Sequence, residues 1–283
     1  MKLEPLVTAE WLAQNINDPQ LRILECSVNL RTGPDGYTAV SMRQNWEDEH
    51  IPNSAYADLT FDLSDPQSDL RFTMPTAERF ASAMEDLGVG TGTKVVLYDR
   101  RFTMWATRVW WMLRAFGFDD CAVLDGGLTS WIAAGLATTT ERSPTRALAR
   151  FHAEPRPELV ADLARMKAAL NDGTCIINAL SASNHDGTDS SYGRRGHLPG
   201  AANVYAIDLI DSESHRYLPI DQLAAMFEEV TQTSGPIVTY CGGGIAATSD
   251  AFVLTALLGR SDVSVYDGSL SEWLLDPNSP LEV

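Results

Sequence analysis

The sequence predicts an α/β protein with two similar domains in tandem, each built on a small parallel sheet flanked by helices. The chain has 283 residues, about twice the length of an ordinary domain. Short apolar runs alternate with longer amphipathic stretches, which is typical of βα units around a parallel sheet. The second half of the chain also repeats features of the first half, and two copies of one unit imply two domains of one fold.

The N-terminal copy begins with an apolar, strand-like run at 21–26. An amphipathic helix is predicted at 76–87, because its apolar residues recur at helical spacing. A strand rich in β-branched residues follows at 95–99, then a helical stretch and another strand at 122–124. An Asp-Gly-Gly turn at 125–127 closes this series of elements.

The C-terminal copy has the same order of elements. An amphipathic stretch at 159–170 precedes strand-like runs at 174–180 and 237–240. A buried helix is predicted from Ala247 to Leu258, and Gly259 can end it because glycine tolerates a left-handed backbone. A last strand then leads into Asp267-Gly268, as its counterpart does in the first copy.

Two anchors align the copies and set the expected domain boundaries. The segment Val95-Val96-Leu97-Tyr98-Asp99 returns as Ile237-Val238-Thr239-Tyr240-Cys241, and a His-x-Pro turn occurs at His50 and again at His197. We place the N-terminal domain at 1–140 and the C-terminal domain at 159–283. Residues 141–158 contain three prolines and no strand pattern, so we interpret them as the linker.

Composition and charge exclude several classes of function. Hydrophobic residues make up 45% of the chain, enough to build buried cores, and the net charge is −17. A body this acidic repels phosphate backbones and anionic membranes, so we expect neither a nucleic-acid nor a membrane partner. No apolar run approaches the roughly 18 residues of a membrane span, and no signal peptide is predicted, so we expect a cytoplasmic protein.

Four cysteines are scattered along the chain without a CxxC pair: Cys26, Cys121, Cys175 and Cys241. This number and spacing predict neither a disulfide framework nor a metal site. Three of them lie within apolar, strand-like runs and are interpreted as inert core thiols. The fourth, Cys241, lies at the place where the two copies differ most, since the first copy has Asp99 there.

Cys241 opens the sequence Cys-Gly-Gly-Gly-Ile-Ala between a strand and a helix. In α/β sheets, function lies beyond the carboxyl ends of the strands. Glycines allow backbone N–H groups to turn inwards as a concave nest, and the helix dipole adds positive potential at the same point. We therefore expect the amides of Gly242, Gly243, Gly244, Ile245 and Ala246 to stabilise a thiolate on Cys241, which makes it a nucleophile.

Several stretches resemble the tandem-rhodanese sulfurtransferases, the thiosulfate and 3-mercaptopyruvate sulfurtransferase family, over essentially the whole chain. They are Arg-Val-Trp-Trp-Met-Leu-Arg-Ala-Phe-Gly at 108–117, Leu-Asp-Gly-Gly-Leu at 124–128 with Trp131, Gly-His-Leu-Pro-Gly-Ala at 196–201, and Tyr-Cys-Gly at 240–242. The resemblance implies an inactive N-terminal domain with Asp99 at the cysteine position. It also implies an active C-terminal domain in which Cys241 takes a sulfane sulfur from a donor as a persulfide and passes it on.

That resemblance implies a small sulfur donor, such as thiosulfate, mercaptopyruvate or a persulfide, and a thiol or cyanide as acceptor. It implies no metal or organic cofactor, and we expect a monomer or weak dimer. The active loop is non-standard. Gly243 and Ala246 replace the hydroxyl residues of mercaptopyruvate enzymes, and Gly242 offers no cation of the kind that follows the cysteine in the thiosulfate type.

The substrate pocket departs from the family as well. Where the family places carboxylate-binding arginines, this chain has Leu180 and, before Gly187-Thr188, Asp186. An arginine–carboxylate pair is worth a few kcal/mol, so its loss predicts weaker use of mercaptopyruvate. Candidate substrate-binding residues elsewhere in the chain are Arg194, Arg195, His185, His50 and Trp105. A structural role at a strand entry is the stronger expectation for His50, and the two arginines fit a solvated loop equally well.

Two other functions remain open at this point. Cysteine phosphatases share this fold, but they need an arginine that closes a longer C-x5-R loop, and position 247 is an alanine. A non-catalytic sulfur carrier or binding protein would keep the Cys241 loop and lose the donor pocket, as the missing arginines suggest. Thiocyanate formation by wild type and Cys241→Ser would distinguish the carrier from the enzyme.

Overall fold

Two parallel, five-stranded sheets organise the chain in a computed structural model that describes residues 3–33, 36–142, 149–228 and 235–283. The N-terminal sheet has the strand order β1-β7-β6-β2-β5. Its strands are β1 (Leu6–Val7), β2 (Leu21–Glu25), β5 (Ser54–Tyr56), β6 (Lys94–Tyr98) and β7 (Cys121–Leu124). The helices of this half are α1 (Ala9–Asn15), α2 (Arg43–Asp48), α3 (Ala77–Asp86), α4 (Met104–Ala115) and α5 (Gly127–Ala133).

The C-terminal sheet has the strand order β10-β9-β11-β12-β8, which is the same topology read from the other edge. Its strands are β8 (Val160–Ala161), β9 (Cys175–Asn178), β10 (Ala202–Asn203), β11 (Ile237–Tyr240) and β12 (Val263–Tyr266). The helices are α6 (Leu163–Ala169), α7 (Ala182–His185), α8 (Ile220–Glu228), α9 (Ala247–Phe252) and α10 (Ser269–Trp273). The predicted fold class is confirmed.

Local sequence explains where these elements begin and end. Thr76 caps α3 by accepting a hydrogen bond from the Arg79 backbone N–H at 3.3 Å, and Phe80 and Met84, one helical turn apart, are buried. The central strands are buried along almost their whole length, which explains their continuous apolar runs. Helix α9 is shorter than predicted, because Val253–Leu257 continue it as a π-helical turn before Gly259.

An antiparallel hairpin interrupts the N-terminal repeat and was not expected from the sequence. It consists of β3 (Val28–Gly33) and β4 (Gly36–Ser41). Each strand has six residues, and the hairpin pairs only with itself, outside the parallel sheet. It reaches the cleft between the two domains.

Helices α4 and α9, one from each half, pack against each other where the domains meet. The Thr107 hydroxyl lies 3.0 Å from the Thr248 hydroxyl and 3.2 Å from that of Ser249. Trp110 meets Phe252 edge to face at 4.8 Å between ring centroids. Buried residues of both halves belong to one continuous hydrophobic cluster, so the cleft between the domains has a rigid floor.

The linker predicted at 141–158 includes residues 143–148, which lie outside the described residues. Within the described part, Phe151 is buried beside Phe80, at 5.5 Å between ring centroids. The domain boundaries stay a prediction. In the described part of the chain, no helix is long and apolar enough to cross a membrane.

Candidate active site

Cys241 follows the central strand β11 at its carboxyl end, where the chain turns towards α9. The residue is only 2% exposed, yet it lines a cavity of about 300 Å³ between the domains. The other three cysteines are free, buried thiols, and for Cys26 burial and the nearby Asp99 raise the pKa well above its ordinary value. Of the four thiols, Cys241 is the one on the cavity wall.

Ser269, the first residue of α10, holds the two ends of the Cys241 turn. Its hydroxyl oxygen accepts hydrogen bonds from the backbone N–H groups of Cys241, at 3.0 Å, and Gly244, at 3.1 Å. The hydroxyl donates to the Tyr266 carbonyl at 2.8 Å and lies 4.0 Å from the Cys241 Sγ. Ser269 adopts a left-handed backbone with φ of 48°, which serine rarely does, so its hydrogen bonds must offset the strain.

Two glycines of the turn have no room for a side chain. A Cβ atom at Gly244, which has φ of 75°, would collide with the Asp267 carbonyl oxygen. A Cβ atom at Gly242 would enter the Tyr192 ring, which packs directly on the glycine backbone. The backbone of the turn is thus in close contact with Asp267, just before α10, on one side and with Tyr192 on the other.

Of the five amides expected to surround Cys241, the Gly244 N–H is bound by the Ser269 hydroxyl. Among the described residues, the backbone N–H groups of Gly242, Gly243, Ile245 and Ala246 have no hydrogen-bond acceptor. All four residues line the cavity beside Cys241. Unpaired donors at the wall of a cavity are available to an anion placed there.

In the N-terminal domain the corresponding turn is filled by the side chain of Asp99. Its carboxylate accepts four backbone hydrogen bonds of 3.0–3.2 Å, from Arg101, Thr103, Trp105 and Ala106. Burial raises the pKa of Asp99 to about 7, while the four N–H donors favour its charged form. A turn of this type can therefore surround an anionic group with amides.

A buried arginine from the N-terminal domain is hydrogen-bonded to the Cys241 turn. Arg108, on α4, donates to the Gly244 carbonyl at 3.1 Å, to the Phe72 carbonyl at 2.6 Å and to the Asp267 carboxylate at 2.6 Å. The other carboxylate oxygen of Asp267 accepts the Met74 backbone N–H at 2.9 Å. Because Arg108 is only 1% exposed, these bonds join the halves in a low-dielectric environment.

The cavity over Cys241 is lined by both domains and is mostly apolar. The N-terminal residues come from the hairpin, the 71–72 segment and the start of α4, and the C-terminal residues surround the cysteine turn. The walls include Leu30, Tyr37, Arg71, Phe72, Met104, Leu180, Asn184, Tyr192, Tyr205, Ile207 and Ser271.

The structure does not bring His50 or Trp105 to this cavity. His50 is fully buried, stacks on Trp46 and lies within hydrogen-bond distance of the Trp46 and Glu141 carbonyl oxygens, at 2.6 and 3.0 Å. It thus has the structural environment that its His-x-Pro context favoured. Trp105 packs edge-on against Phe72, at 5.4 Å, and Phe72 separates it from the cavity.

His185, Arg194 and Arg195 do not line the cavity either. The His185 ring stacks on His197 with centroids 3.6 Å apart, and burial together with the charge of His197 lowers its pKa to about 4. His185 is therefore neutral near pH 7 and offers no cation. Arg195 is exposed on the loop before Gly196.

Sequence reasoning missed several residues that build the site. The repeat itself carried a signal for Ser269, since its counterpart in the first copy is Gly127. The same register pairs Arg108 with Asp250, an exchange that marks the interface between the domains. No pattern pointed to Tyr37 or Tyr192, because their positions depend on a hairpin and a loop.

No group of three or more histidine, cysteine or acidic side chains that could hold a metal ion occurs in the described ranges.

Comparison with known proteins gives one consistent result. The family model described as "Rhodanese-like domain" matches residues 8–134 and 162–276. Thiosulfate/3-mercaptopyruvate sulfurtransferase 1 of Arabidopsis thaliana is 33% identical over 99% of this chain and 78% of the relative. The 3-mercaptopyruvate sulfurtransferase of Escherichia coli K12 is 34% identical over 98% of this chain and 97% of its own. The crystal structure of SseA from Escherichia coli, a 3-mercaptopyruvate sulfotransferase, superposes with a TM-score of 0.83 at 31% identity, covering 94% of this chain and 99% of that one.

Proposed function

The chain belongs to the rhodanese family of thiosulfate and 3-mercaptopyruvate sulfurtransferases, and we propose that Cys241 carries the sulfur that this enzyme transfers. The related proteins are sulfurtransferases by name, and the fold is theirs along the whole chain. What the chain adds is its own site: one thiol on a cavity wall, beside amides that have no acceptor within the described residues.

The observation that carries the proposal is the difference between the two equivalent turns. The Asp99 carboxylate receives four amides in the N-terminal turn. In a cysteine persulfide, the terminal sulfur lies as many bonds from Cβ as a carboxylate oxygen does in aspartate. Asp99 is therefore a built-in analogue of a loaded cysteine, and the unpaired amides of the Cys241 turn are suited to receive the persulfide anion.

The reaction then proceeds in two displacements. The Cys241 thiolate attacks the sulfane sulfur of the donor, an S–S bond forms, and the bond between that sulfur and the rest of the donor breaks with its electron pair on the leaving group. The acceptor, a thiolate or cyanide, attacks the terminal sulfur of the persulfide. Cys241 leaves as a thiolate, and the product is a new persulfide or thiocyanate.

Amides and Ser269 have distinct tasks in this scheme. Ser269 fixes the turn by binding the Cys241 and Gly244 N–H groups, so these two donors are not available to sulfur. The N–H groups of Gly242, Gly243, Ile245 and Ala246 are left for the charge that moves onto the second sulfur. Because the turn is already in place before the donor binds, little reorganisation is needed when that charge develops.

We also propose a small sulfur donor and a thiol or cyanide acceptor as partners, a monomeric or weakly dimeric state and a cytoplasmic location. The free state of all four cysteines agrees with a reducing compartment. The net charge of −17 favours solubility and disfavours anionic partners.

Intact-mass analysis after incubation with thiosulfate, mercaptopyruvate or a low-molecular-weight persulfide tests the proposal. Wild type should gain one sulfur atom that a reducing thiol removes, and cyanide should release it as thiocyanate. Cys241→Ser should do neither, whereas Cys26→Ala, which changes a buried core thiol, should keep both. Equal thiocyanate formation by wild type and Cys241→Ser would contradict the enzyme and favour a sulfur carrier or binding protein.

A further inference from the structure

The wall of the cavity facing Cys241 is aromatic. Tyr37, Phe72, Tyr192 and Tyr205 contribute rings from both domains, and Leu180 and Ile207 add aliphatic surface. The Tyr37 and Tyr192 rings are tilted against each other with centroids 5.7 Å apart. Because Tyr192 packs directly on Gly242, these rings lie beside the nucleophile itself. Such a wall favours a planar, apolar ligand body.

The charge of the cavity points in the same direction. Among the described residues that line it, Arg71 is the one cation, and none of them is an acid. Arg71 is itself exposed, and its guanidinium donates to the Tyr37 carbonyl, which fixes it on the hairpin side. Bringing a dianion into mostly apolar surroundings costs much more free energy than bringing in a monoanion, since Arg71 compensates one charge and the unpaired amides serve, in the proposed reaction, the charge on the transferred sulfur.

The two positions where the family resemblance predicts an arginine carry none in this chain. Leu180, at a position where the family resemblance predicts an arginine, is part of the apolar wall. Asp186, at the other such position, accepts hydrogen bonds from the backbone and hydroxyl of Thr188, at 2.8 and 2.7 Å. Near neutral pH His185 carries no charge, as argued above.

We infer that the sulfur donor is an organic sulfane-sulfur compound with a planar, mostly apolar body and no more than one negative charge. This inference rests on the proposed role of Cys241. The apolar body lies against Tyr37, Tyr192 and Tyr205, and the single charge lies towards Arg71. The hairpin therefore determines donor specificity from within the domain that has no nucleophile.

Thiosulfonates offer a matched test, because benzenethiosulfonate, methanethiosulfonate and thiosulfate present the same reacting group. In each, the Cys241 thiolate takes the outer sulfur, and a sulfinate or sulfite leaves with the electron pair of the broken S–S bond. Thiosulfate carries two charges; the two thiosulfonates carry one and differ from each other in the ring. For each donor, the rate of sulfur transfer to Cys241 is divided by its rate of reaction with the thiolate of glutathione. This removes differences in the intrinsic reactivity of the donors.

After this normalisation, kcat/KM should be at least about tenfold higher for benzenethiosulfonate than for thiosulfate, with methanethiosulfonate between them. Tyr37→Ala and Tyr205→Ala should lower the ratio of benzenethiosulfonate to methanethiosulfonate about fivefold or more. Phe61→Ala, which removes an exposed ring outside the cavity, should leave that ratio unchanged.

A normalised preference for thiosulfate, or ratios that Tyr37→Ala and Tyr205→Ala do not move, would overturn the inference while leaving Cys241 as the sulfur carrier. If none of the three donors adds sulfur to Cys241 but mercaptopyruvate or a low-molecular-weight persulfide does, the inference is overturned and Cys241 remains the sulfur carrier. If none of these five donors adds sulfur, the proposed function itself fails and takes this inference with it. Intact mass separates the two failures, because it reports loading directly and does not depend on which donor is preferred.

Discussion

The turn at the end of the central strand has a different side chain in each domain. In the N-terminal domain, Asp99 fills its own ring of amides. In the C-terminal domain, the Cys241 side chain leaves four amides without an acceptor in the described chain and opens onto a cavity. The comparison indicates how little has to change in this fold to turn a self-contained turn into one that, as we propose, receives a second sulfur.

Each turn is also crossed by a segment of the opposite domain, in matching geometry. The Met74 backbone donates to Asp267 beside the Cys241 turn, and the Tyr217 backbone donates to Asp125 beside the Asp99 turn, both at 2.9 Å. The Tyr217 hydroxyl is buried, and burial with the nearby Asp99 carboxyl raises the pKa of Tyr217 well above its usual range. A phenol is thus placed close to Asp99, whereas the segment containing Met74 leaves room for a ligand over Cys241.

The largest effect is expected from replacing Arg108, which occupies the same position in the first copy as Asp250 does in the second. Arg108→Met removes two hydrogen bonds that tie the N-terminal domain to Gly244 and Asp267, and one to Phe72 within its own domain. We expect it to lower the free energy of unfolding by about 3 kcal/mol, because one member of a buried ion pair is left behind. Sulfur loading of Cys241 should fall about a hundredfold, since the turn loses its support. Urea unfolding and the rate of mass increase measure the two effects.

Asp250 is the matched control, because it has the place of Arg108 in the second copy. Its carboxyl is fully buried, both oxygens lack a partner within the described residues, and burial raises its pKa well above the usual range. Asp250→Leu should therefore stabilise the fold by about 1 kcal/mol or more. A loss of stability in Asp250→Leu as large as in Arg108→Met would show that the two interface positions are equivalent after all.

An intermediate effect is expected at the residue that fixes the cysteine turn. Ser269→Gly restores the residue of the first copy, Gly127, and relieves the left-handed strain, but it leaves the Cys241 and Gly244 N–H groups without their acceptor. Sulfur loading should fall about tenfold, with a loss of stability of about 2 kcal/mol. Stopped-flow loading with thiosulfate or a thiosulfonate measures this.

Ser271→Ala provides the comparison for that variant. The Ser271 hydroxyl donates to the Gly242 carbonyl at 2.7 Å, but the Ser271 backbone N–H donates to the same carbonyl at 2.9 Å and remains. Its effect should be clearly smaller than that of Ser269→Gly. Equal losses of sulfur loading and stability in the two variants would mean that Ser269 has no specific role in fixing the turn.

The smallest effect should follow from giving the turn a hydroxyl. Gly243 has space for a side chain, since a Cβ atom there would lie 3.7 Å from the Ser271 hydroxyl and 4.0 Å from the Arg71 carbonyl. Gly243→Ser should increase kcat/KM with mercaptopyruvate by about fivefold, because one hydrogen bond to the substrate carbonyl becomes possible. Gly242→Ser would force the serine into the Tyr192 ring, so it should lower activity. A gain in both variants would contradict the steric difference between these neighbouring glycines.

The sequence predicted the fold class well, because apolar periodicity indicates βα units around a parallel sheet and the internal repeat indicates two such domains. It also pointed to Cys241, since one cysteine replaced an aspartate in an otherwise repeated segment. The cavity walls were beyond its reach. Tyr37 comes from an antiparallel hairpin that interrupts the repeat, and Tyr192 from a loop without periodicity, so neither had a local signal for its place beside the thiol.

His50 and Trp105 show the opposite difficulty. Both are chemically suited to a substrate pocket. In the structure, however, His50 lies between two backbone carbonyl oxygens and Trp105 packs against Phe72. A residue type signals capability, and only the tertiary structure decides what surrounds it. The pairing of Arg108 with Asp250 was visible in the repeat, but its meaning required the contact between α4 and α9.

Because of the hairpin of β3 and β4, the choice of donor and the chemistry at the cysteine turn can evolve separately. It contributes Leu30 and Tyr37 to the cavity but takes no part in either parallel sheet. Insertions, deletions or exchanges in this excursion can therefore alter which compounds are admitted, while the machinery that breaks bonds stays as it is. A lineage that duplicates such a chain gains a ready route to new sulfur sources through a segment that pairs with neither parallel sheet.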